Sequence, residues 1–593
     1  MGNSVSQDLD RRFGGFISYC VVGAISIWSL AKLVPNAKPY PSSDEWVYLH
    51  ASSLTTVSEF LEWVVAQHVD HRIPLQKLLQ YVILRLTGFD FRYLVLCNYL
   101  VAIIATLLLL WIAREARGYQ SAADLAIPLV TLSPAAGYSN WGFQFQFLSS
   151  IFFLTVITAC FVAFCGSRRY RYLDYLCLAL LCEAMCGLNG LIISAVLLVL
   201  FVCWLFWQSR SGRLSILKRT YCLMSLVIAL MAITAATWRP SNAAGGHYNL
   251  AVITQFTYGM LTACLGVFSF TGITWKALFL ACLLVGGLIC LVRDWLSGVW
   301  DGPMLGLAAG LAASLILVIA IAAGRSDYQG GWNPVLAFHY GYLTILIPLF
   351  SWIIVSVHLG PKWTAIYGTA VVLFFTLSFM ANAQWRMEYI RSAEGQQQKI
   401  SAELRSGTAL ESLVSERIRD FYFVDTPDVR KDVLDGIAEA RRRGYRLYGG
   451  GTLAGQLAAS SAVPSRSTLG EGDCQISELR GFHAPEIWGV WSGTDPAVVK
   501  LQKTVKGRLS VVLIAQSLND AAPHTAAVTI GDETMKIQLD PAPRSFQLHY
   551  DVKSPAMEIE LGGIHPISPQ AEGNGGDSRA LAIGLVQISC SQE

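Results

Sequence analysis

"LVLCNYLVAIIATLLLLWIA", Leu94 to Ala113, runs without a single charge and is followed at once by Arg114 and Arg117. A helix rises about 1.5 Å per residue, so the stretch is as long as the hydrocarbon layer of a bilayer is thick. It reads as a membrane span with its basic end in the cytoplasm. Residues 14–33, 123–139, 147–166, 173–187, 190–207, 222–238, 275–292, 303–323, 341–358 and 363–382 read the same way, which makes about eleven spans. Residues 250–270 are expected to form a helix lying at the interface; if they span, the count is twelve.

Composition agrees with this and divides the chain. Of 593 residues, 53% are hydrophobic and only 14% charged, against about 25% charged in a soluble domain. The apolar runs are confined to residues 1–382, and residues 383–593 have the texture of a soluble protein. A net charge of +3 gives no reason to expect nucleic acid as a partner. Twelve of the 14 cysteines lie in or beside apolar segments, where they act as small hydrophobes. "MGNSVS" fits a myristoylation pattern, but the first span follows immediately and makes a lipid redundant. No small-residue cleavage site follows that span.

Lys and Arg set the orientation. With the N-terminus in the cytoplasm, Arg11, Arg12, Arg114, Arg117, Arg168, Arg169, Arg171, Arg210, Arg213, Lys218, Arg219, Arg293 and Lys362 are cytoplasmic. The opposite short loops around 138–146 and 187–190 have none. An odd number of spans places residues 383–593 outside, with the longest loop, 34–93. Residues 383–473 are charged and helix-prone, as in "AELRSGTALESLVSERIRDF" and "RKDVLDGIAEARRRG". From 474 onward, "RLSVVLIAQSL", "AAVTIGDETMKIQL", "SFQLHYDV" and "AMEIELGG" are short β-prone runs, with "GDET" as a hairpin turn. They predict an all-β sandwich of jelly-roll type. Cys474 and Cys590 bracket it, and a disulfide between them is expected in an oxidising compartment.

Polar residues concentrate in three places. In the first outer loop, Asp44 and Glu45 stand side by side, and Glu59, Glu62, His68, Asp70, His71 and Arg72 follow among Trp46, Trp63 and Val64. Either they solvate a surface loop or some of them act; the near-absence of charge in the other outer loops favours action. "AGRSDYQGGWNPVLAFHYGYL" places Arg325 just past a span and His339–Tyr340 at the start of the next. Such an Arg either snorkels or offers its planar fork to phosphate oxygens. "SNWGFQFQF" sets Asn140, Gln144 and Gln146 among aromatics, as an interfacial belt or as contacts to sugar hydroxyls. Glu183 is an ionisable residue at membrane depth, a weaker candidate.

The first-loop acid pair, the later His-Arg element, the span count and an external C-terminal domain resemble the GT-C superfamily. These are polytopic glycosyltransferases that use polyprenyl-phosphate sugars. The Asp44–Glu45 pair is similar to the first-loop acids of protein O-mannosyltransferases and of the lipid A aminoarabinose transferase. "GFHAPEIWGVWS" and "SPQAEGNGGDSRALAIGLVQI" resemble a β-sandwich module of bacterial surface-polysaccharide glycosyltransferases. The resemblance implies transfer from a polyprenyl-phosphate sugar to a glycan, lipid or protein hydroxyl, at the outer face of a bacterial plasma membrane. It implies Asp44 as general base with Glu45 orienting it. Arg72 and Arg325 would hold the donor phosphate, helped by His71 and by His339 and Tyr340, which stand where relatives carry Arg-Tyr. Glu62, Asn140, Gln144 and Trp488 are expected at sugar or acceptor. No metal is required, although a divalent cation is compatible with clustered acids. A lipid-linked-saccharide flippase or a non-catalytic assembly subunit would share the topology; neither needs the acid pair.

Overall fold

In the computed structural model the apolar segments are helical, and the helices are α1 (Gly2–Lys32), α2 (Trp46–Ala51), α3 (Val57–Val65), α4 (Pro74–Leu86), α5 (Arg92–Arg117), α6 (Ala126–Thr131), α7 (Phe145–Ser167), α8 (Arg171–Ala184), α9 (Leu188–Arg210), α10 (Lys218–Ala236), α11 (Leu250–Ala263), α12 (Ile273–Leu296), α13 (Gly302–Arg325), α14 (Leu346–His358), α15 (Pro361–Ser406), α16 (Leu410–Phe421) and α17 (Pro427–Arg442). The structure describes the chain except residues 1, 55, 69–70, 140, 168, 211–217, 240–248, 267–272, 299–301, 326–338, 407–409, 423–424, 444, 449–469, 473–475, 484–489, 519–523, 542, 570–578 and 593. Two compact units emerge: residues 1–40 with 54–395, and residues 41–53 with 396–593.

The first unit is the membrane unit. Seven helical segments among the described residues are long and apolar enough to cross a bilayer: Arg92–Arg117, Gly142–Cys165, Leu188–Phe206, Trp275–Leu296, Gly302–Arg325, Gly341–His358 and Pro361–Arg405. Phe16–Lys32, Ala122–Thr131, Thr220–Ala236 and Leu250–Ala263 are shorter apolar helices. The stretch 123–139, expected to span, does not stay helical: α6 ends at Thr131, ahead of Pro134. Proline has no N–H to continue a helix. The freed carbonyl of Thr131 instead accepts from the hydroxyls of Tyr138 (2.8 Å) and Tyr342 (3.3 Å). Arg117, counted above toward orientation, is fully buried and donates to Asp124 (2.6 Å) and Ser356 Oγ (3.0 Å), so it serves as a structural ion pair.

In the second unit, α2 packs on α17, with the Trp46 ring against Gly436. A Cβ at 436 would lie 3.0 Å from that ring. Here too are β1 (Gly470–Gly472), β2 (Ile476–Arg480), β3 (Val490–Trp491), β4 (Ala497–Ser517), β5 (His524–Ile530), β6 (Glu533–Leu539), β7 (Arg544–Gly562) and β8 (Ile583–Gln592). They form one hydrogen-bonded sheet in the order β1-β8-β4-β7-β5-β6, with β2 on β4 and β3 on β8. The runs "SFQLHYDV" and "AMEIELGG" join into the single strand β7. β4 and β7 are long enough to serve two halves. Residues 497–501 of β4 lie between β2 and the end of β7; residues 509–515 lie between β8 and its start. Register shifts between Lys500 and Gly507 separate the halves. Alternating residues such as Val511, Leu513, Val528, Ile559 and Leu585 face one buried core. "GDET" is the predicted two-residue hairpin, Ile530 pairing with Glu533 and Gly531 at φ +60°.

Candidate functional site

In the membrane unit, one end of the bundle gathers stretches far apart in sequence. α3 and α4 form a hairpin held by Phe60, Trp63, Tyr81 and Phe89, whose ring centroids lie 5.0–6.4 Å apart. On its inner side α4 presents buried Gln76, Lys77 and Gln80. Gln76 donates to the Phe143 carbonyl (3.2 Å) and Gln80 to the Gly142 carbonyl (2.7 Å). From α5, the buried Asn98 amide points at the Tyr138, Trp141 and Gly142 carbonyls at 3.2–3.4 Å. These amides hold the irregular segment that follows α6, where backbone groups would otherwise lack partners.

Lys77 was not singled out by sequence. It is only 2% exposed, and its ammonium donates to the Trp63 (2.7 Å) and Ala66 (2.8 Å) carbonyls at the end of α3. It also lies 5.1 Å from the Trp63 ring centroid. Burial pulls its pKa down from 10.5 to about 8.

The segment so held meets His339. Gln144, itself buried, places its amide nitrogen 3.0 Å from His339 Nδ1. An amide nitrogen only donates, so Nδ1 is the acceptor and the neutral ring carries its proton on Nε2. Trp141, Phe147 and Tyr340 wall the imidazole at 5.0–5.6 Å. Burial, then the charge of Arg325, depress the His339 pKa to about 4. His339 is therefore a neutral donor at physiological pH, and Tyr340 is packed on Phe147 (5.3 Å).

The first-loop residues reach the same region. The His68 ring lies 5.3 Å from Phe143. His68 and His71 pair backbone to backbone at 2.7 and 2.8 Å. Gly187, in the turn between α8 and α9, fits beneath them with φ +88°; a Cβ there would sit 3.2 Å from Ile73 and 3.5 Å from His71 Cβ. Arg72 donates to the Thr237 carbonyl (2.9 Å), and its Nε has no hydrogen-bond partner. Glu62 is exposed on α3 and is bonded within its own helix, to Ser58 Oγ at 3.5 Å.

Arg386, on α15, was not singled out by sequence. It is 2% exposed, with Nη2 at 3.5 Å from the Ser139 carbonyl and its guanidinium 5.1 Å from the Tyr389 ring. One turn away, Asn382 donates to Ser133 Oγ (3.1 Å) and the Leu265 carbonyl (2.9 Å). Ser133 lines a small pocket with Gly137, Cys264, Gly266 and Tyr342.

Asp44 and Glu45 belong to the second unit. They sit in a single 3₁₀ turn, Ser43–Glu45, which Ser43 enters with φ +53°, a left-handed backbone rare for a residue with a Cβ. Glu45 is 3% exposed, and its Oε2 accepts the Ser42 N–H at 2.9 Å. Asp44 is half-buried and accepts from the Tyr422 hydroxyl at 3.3 Å. Trp46 continues the packing, T-shaped on Phe421 at 5.5 Å. Glu45 thus caps a turn, while Asp44 takes the Tyr422 hydroxyl. The pattern Ser-x-x-Glu at 42–45 is a capping-box signature that sequence alone offers.

Asn140, Trp488 and Cys474 lie outside the described residues. Cys590 is disulfide-bonded, and the twelve cysteines of the first unit are free. No group of three or more His, Cys, Asp or Glu that could hold a metal occurs among the described residues.

Residues 467–592 match a family described as a domain of unknown function (DUF7024). No curated protein matches the sequence. Among solved structures, the chain is similar to arabinosyltransferase EmbB from Mycobacterium smegmatis, at 10% identity over 96% of this chain and 64% of that one, with a TM-score of 0.31. It is also similar to arabinofuranosyltransferase AftD from mycobacteria, at 11% identity over 98% and 61%, with a TM-score of 0.31. The chain spans less than two thirds of the length of either, and at that TM-score neither likeness carries fold or activity across.

Proposed function

We propose that the chain is a membrane glycosyltransferase that moves a sugar from a polyprenyl-phosphate donor to a hydroxyl of a glycan, lipid or protein at the outer face of a bacterial plasma membrane. One observation carries this: His68, Trp141–Phe147 and His339–Tyr340, widely separated in sequence, meet at one end of the membrane unit in an aromatic-walled, amide-rich site. Aromatic faces and amides suit a sugar, and neutral His339 has one proton to donate. Arg72, Arg325 and His71 are assigned to the donor phosphate, and the buried Arg386 joins them as a cation that sequence did not single out.

The acceptor oxygen attacks the anomeric carbon as its proton passes to a carboxylate. The bond from that carbon to the phosphate oxygen breaks, and polyprenyl phosphate leaves. Cationic donors stabilise the charge growing on the phosphate. Asp44 is assigned as the base on chemistry alone, because Glu45 is committed to its cap. No metal is required on this assignment. The bridge from Cys590 to Cys474 is proposed to close the C-terminal sheet.

The test is an in-vitro transfer assay with purified protein and polyprenyl-phosphate sugars. Sugar should pass to a hydroxyl acceptor with release of polyprenyl phosphate. Movement of lipid-linked sugar between leaflets without transfer would refute the proposal in favour of a flippase.

A further inference from the structure

The seam between α7 and α8 holds polar groups that the proposed transfer does not use. Glu183, one turn before Gly187, is 0% exposed, and neither carboxylate oxygen has a hydrogen-bond partner. It faces Ser150 of α7, and Cys186 faces Ser149. The hydroxyls of Ser149 and Ser150 donate to the Gln146 carbonyl at 3.1 and 3.2 Å. Each hydroxyl has this acceptor within its own helix, and its lone pairs remain to offer. Gln146 lies one turn along the same face of α7, is 4% exposed, and its Oε1 is also unpartnered.

The seam thus presents carboxylate, amide and hydroxyl oxygens, and none of these four side chains carries a positive charge. A buried carboxylate without a counter-charge is strongly disfavoured. Carboxylate, amide and hydroxyl oxygens are the ligands hard cations take. One carboxylate balances one charge, and no carboxylate-rich group suited to a divalent ion is found among the described residues.

We infer that this seam is a binding site for a monovalent cation, with Glu183 and Gln146 as principal ligands and Ser149 and Ser150 completing the shell. Asn189, buried beyond the turn with its Nδ2 unpartnered, suits a water of that shell. The ion would tie α7 to the turn on which His71 and Ile73 rest. The site thus acts on the geometry of the first loop without touching the transferred sugar.

The experiment is binding of radioactive sodium to the purified full-length chain, with choline as the inert salt. Saturable binding is expected in the wild type. Glu183→Gln should weaken it by at least about tenfold, and Ser150→Ala by a smaller factor, both with a wild-type elution profile. Displacement by unlabelled sodium but not by choline should accompany it. A wild type that binds neither sodium nor rubidium saturably overturns the inference, as does undiminished binding by both variants. Equal thermal stability of the wild type in sodium and choline, with Glu183→Gln more stable in both, would mark Glu183 as a protonated acid and equally overturn it.

Discussion

The loop between α1 and α5 is one stretch of chain with two allegiances. Residues 41–53 belong to the second unit and residues 54–86 to the first. In the early part, the acid is held over short reach: Glu45 binds back three residues to the Ser42 N–H at 2.9 Å. In the later part, Gln76 and Gln80 reach carbonyls more than sixty positions away. The difference teaches that adjacency in a loop does not define a site. Local capping fixes where Glu45 stands; distant carbonyls decide where the neutral and basic groups stand.

The largest effect should come from splitting the acid pair. Asp44→Asn is expected to lower transfer by about 10²–10⁴-fold, the range of a lost general base. Glu45→Ala should instead lower stability by about 1 kcal/mol, the cost of a lost cap, with activity mostly kept. Thermal unfolding and transfer measured on both variants would show it; a reversal of the two phenotypes would exchange their roles.

Next is Lys77. Lys77→Met strips two carbonyls of their donor and should cost about 1–3 kcal/mol. The pH dependence is more specific. The folded pKa, about 8, lies below the unfolded 10.5, so the unfolded state holds more protons between those values. Wild-type stability should therefore rise with pH across that window, and the rise should flatten in Lys77→Met.

Gln144→Leu should lower kcat/KM by about tenfold through loss of one hydrogen bond to His339. Because His339 titrates near 4, transfer should show no histidine-like step between about pH 5 and 8 from this residue. Stability should fall as pH drops from the ordinary histidine value toward 4. An activity step near pH 6.5 that disappears in His339→Gln would sink this placement.

The smallest effect is at Ser43. Glycine adopts the left-handed backbone freely, so Ser43→Gly should stabilise by about 1 kcal/mol. Any accompanying loss of transfer would report that the fixed turn orients Asp44.

Much of this was legible in the sequence. Apolar length located the helices, and β-prone runs with the "GDET" turn located β4 to β7. Periodicity failed where backbone satisfaction came from afar. Nothing local says that Thr131 will surrender its carbonyl to two tyrosines, one of them 211 residues away. The burial of Lys77 and of the Arg117 side chain is a property of their neighbours, which no local pattern shows. His339 and Gln144 were both singled out, but their contact across 195 residues was not foreseeable from either stretch. The capping role of Glu45 could have been read from Ser42 and went unread because the acid pair looked catalytic.

The placement of β8 has a consequence for how the protein is made. This strand lies between β1 and β4 and also carries β3, with Gly470 opposite Ile588 and Val511 opposite Cys590. The ribosome therefore delivers β1 to β7 before the strand that joins three of them exists. Until then β4 has an open edge along residues 509–517, an apolar template for pairing with another chain. Non-local closure of this kind is slow. The sheet must wait for translation to reach β8, and the interval before closure is when the nascent chain most needs a chaperone.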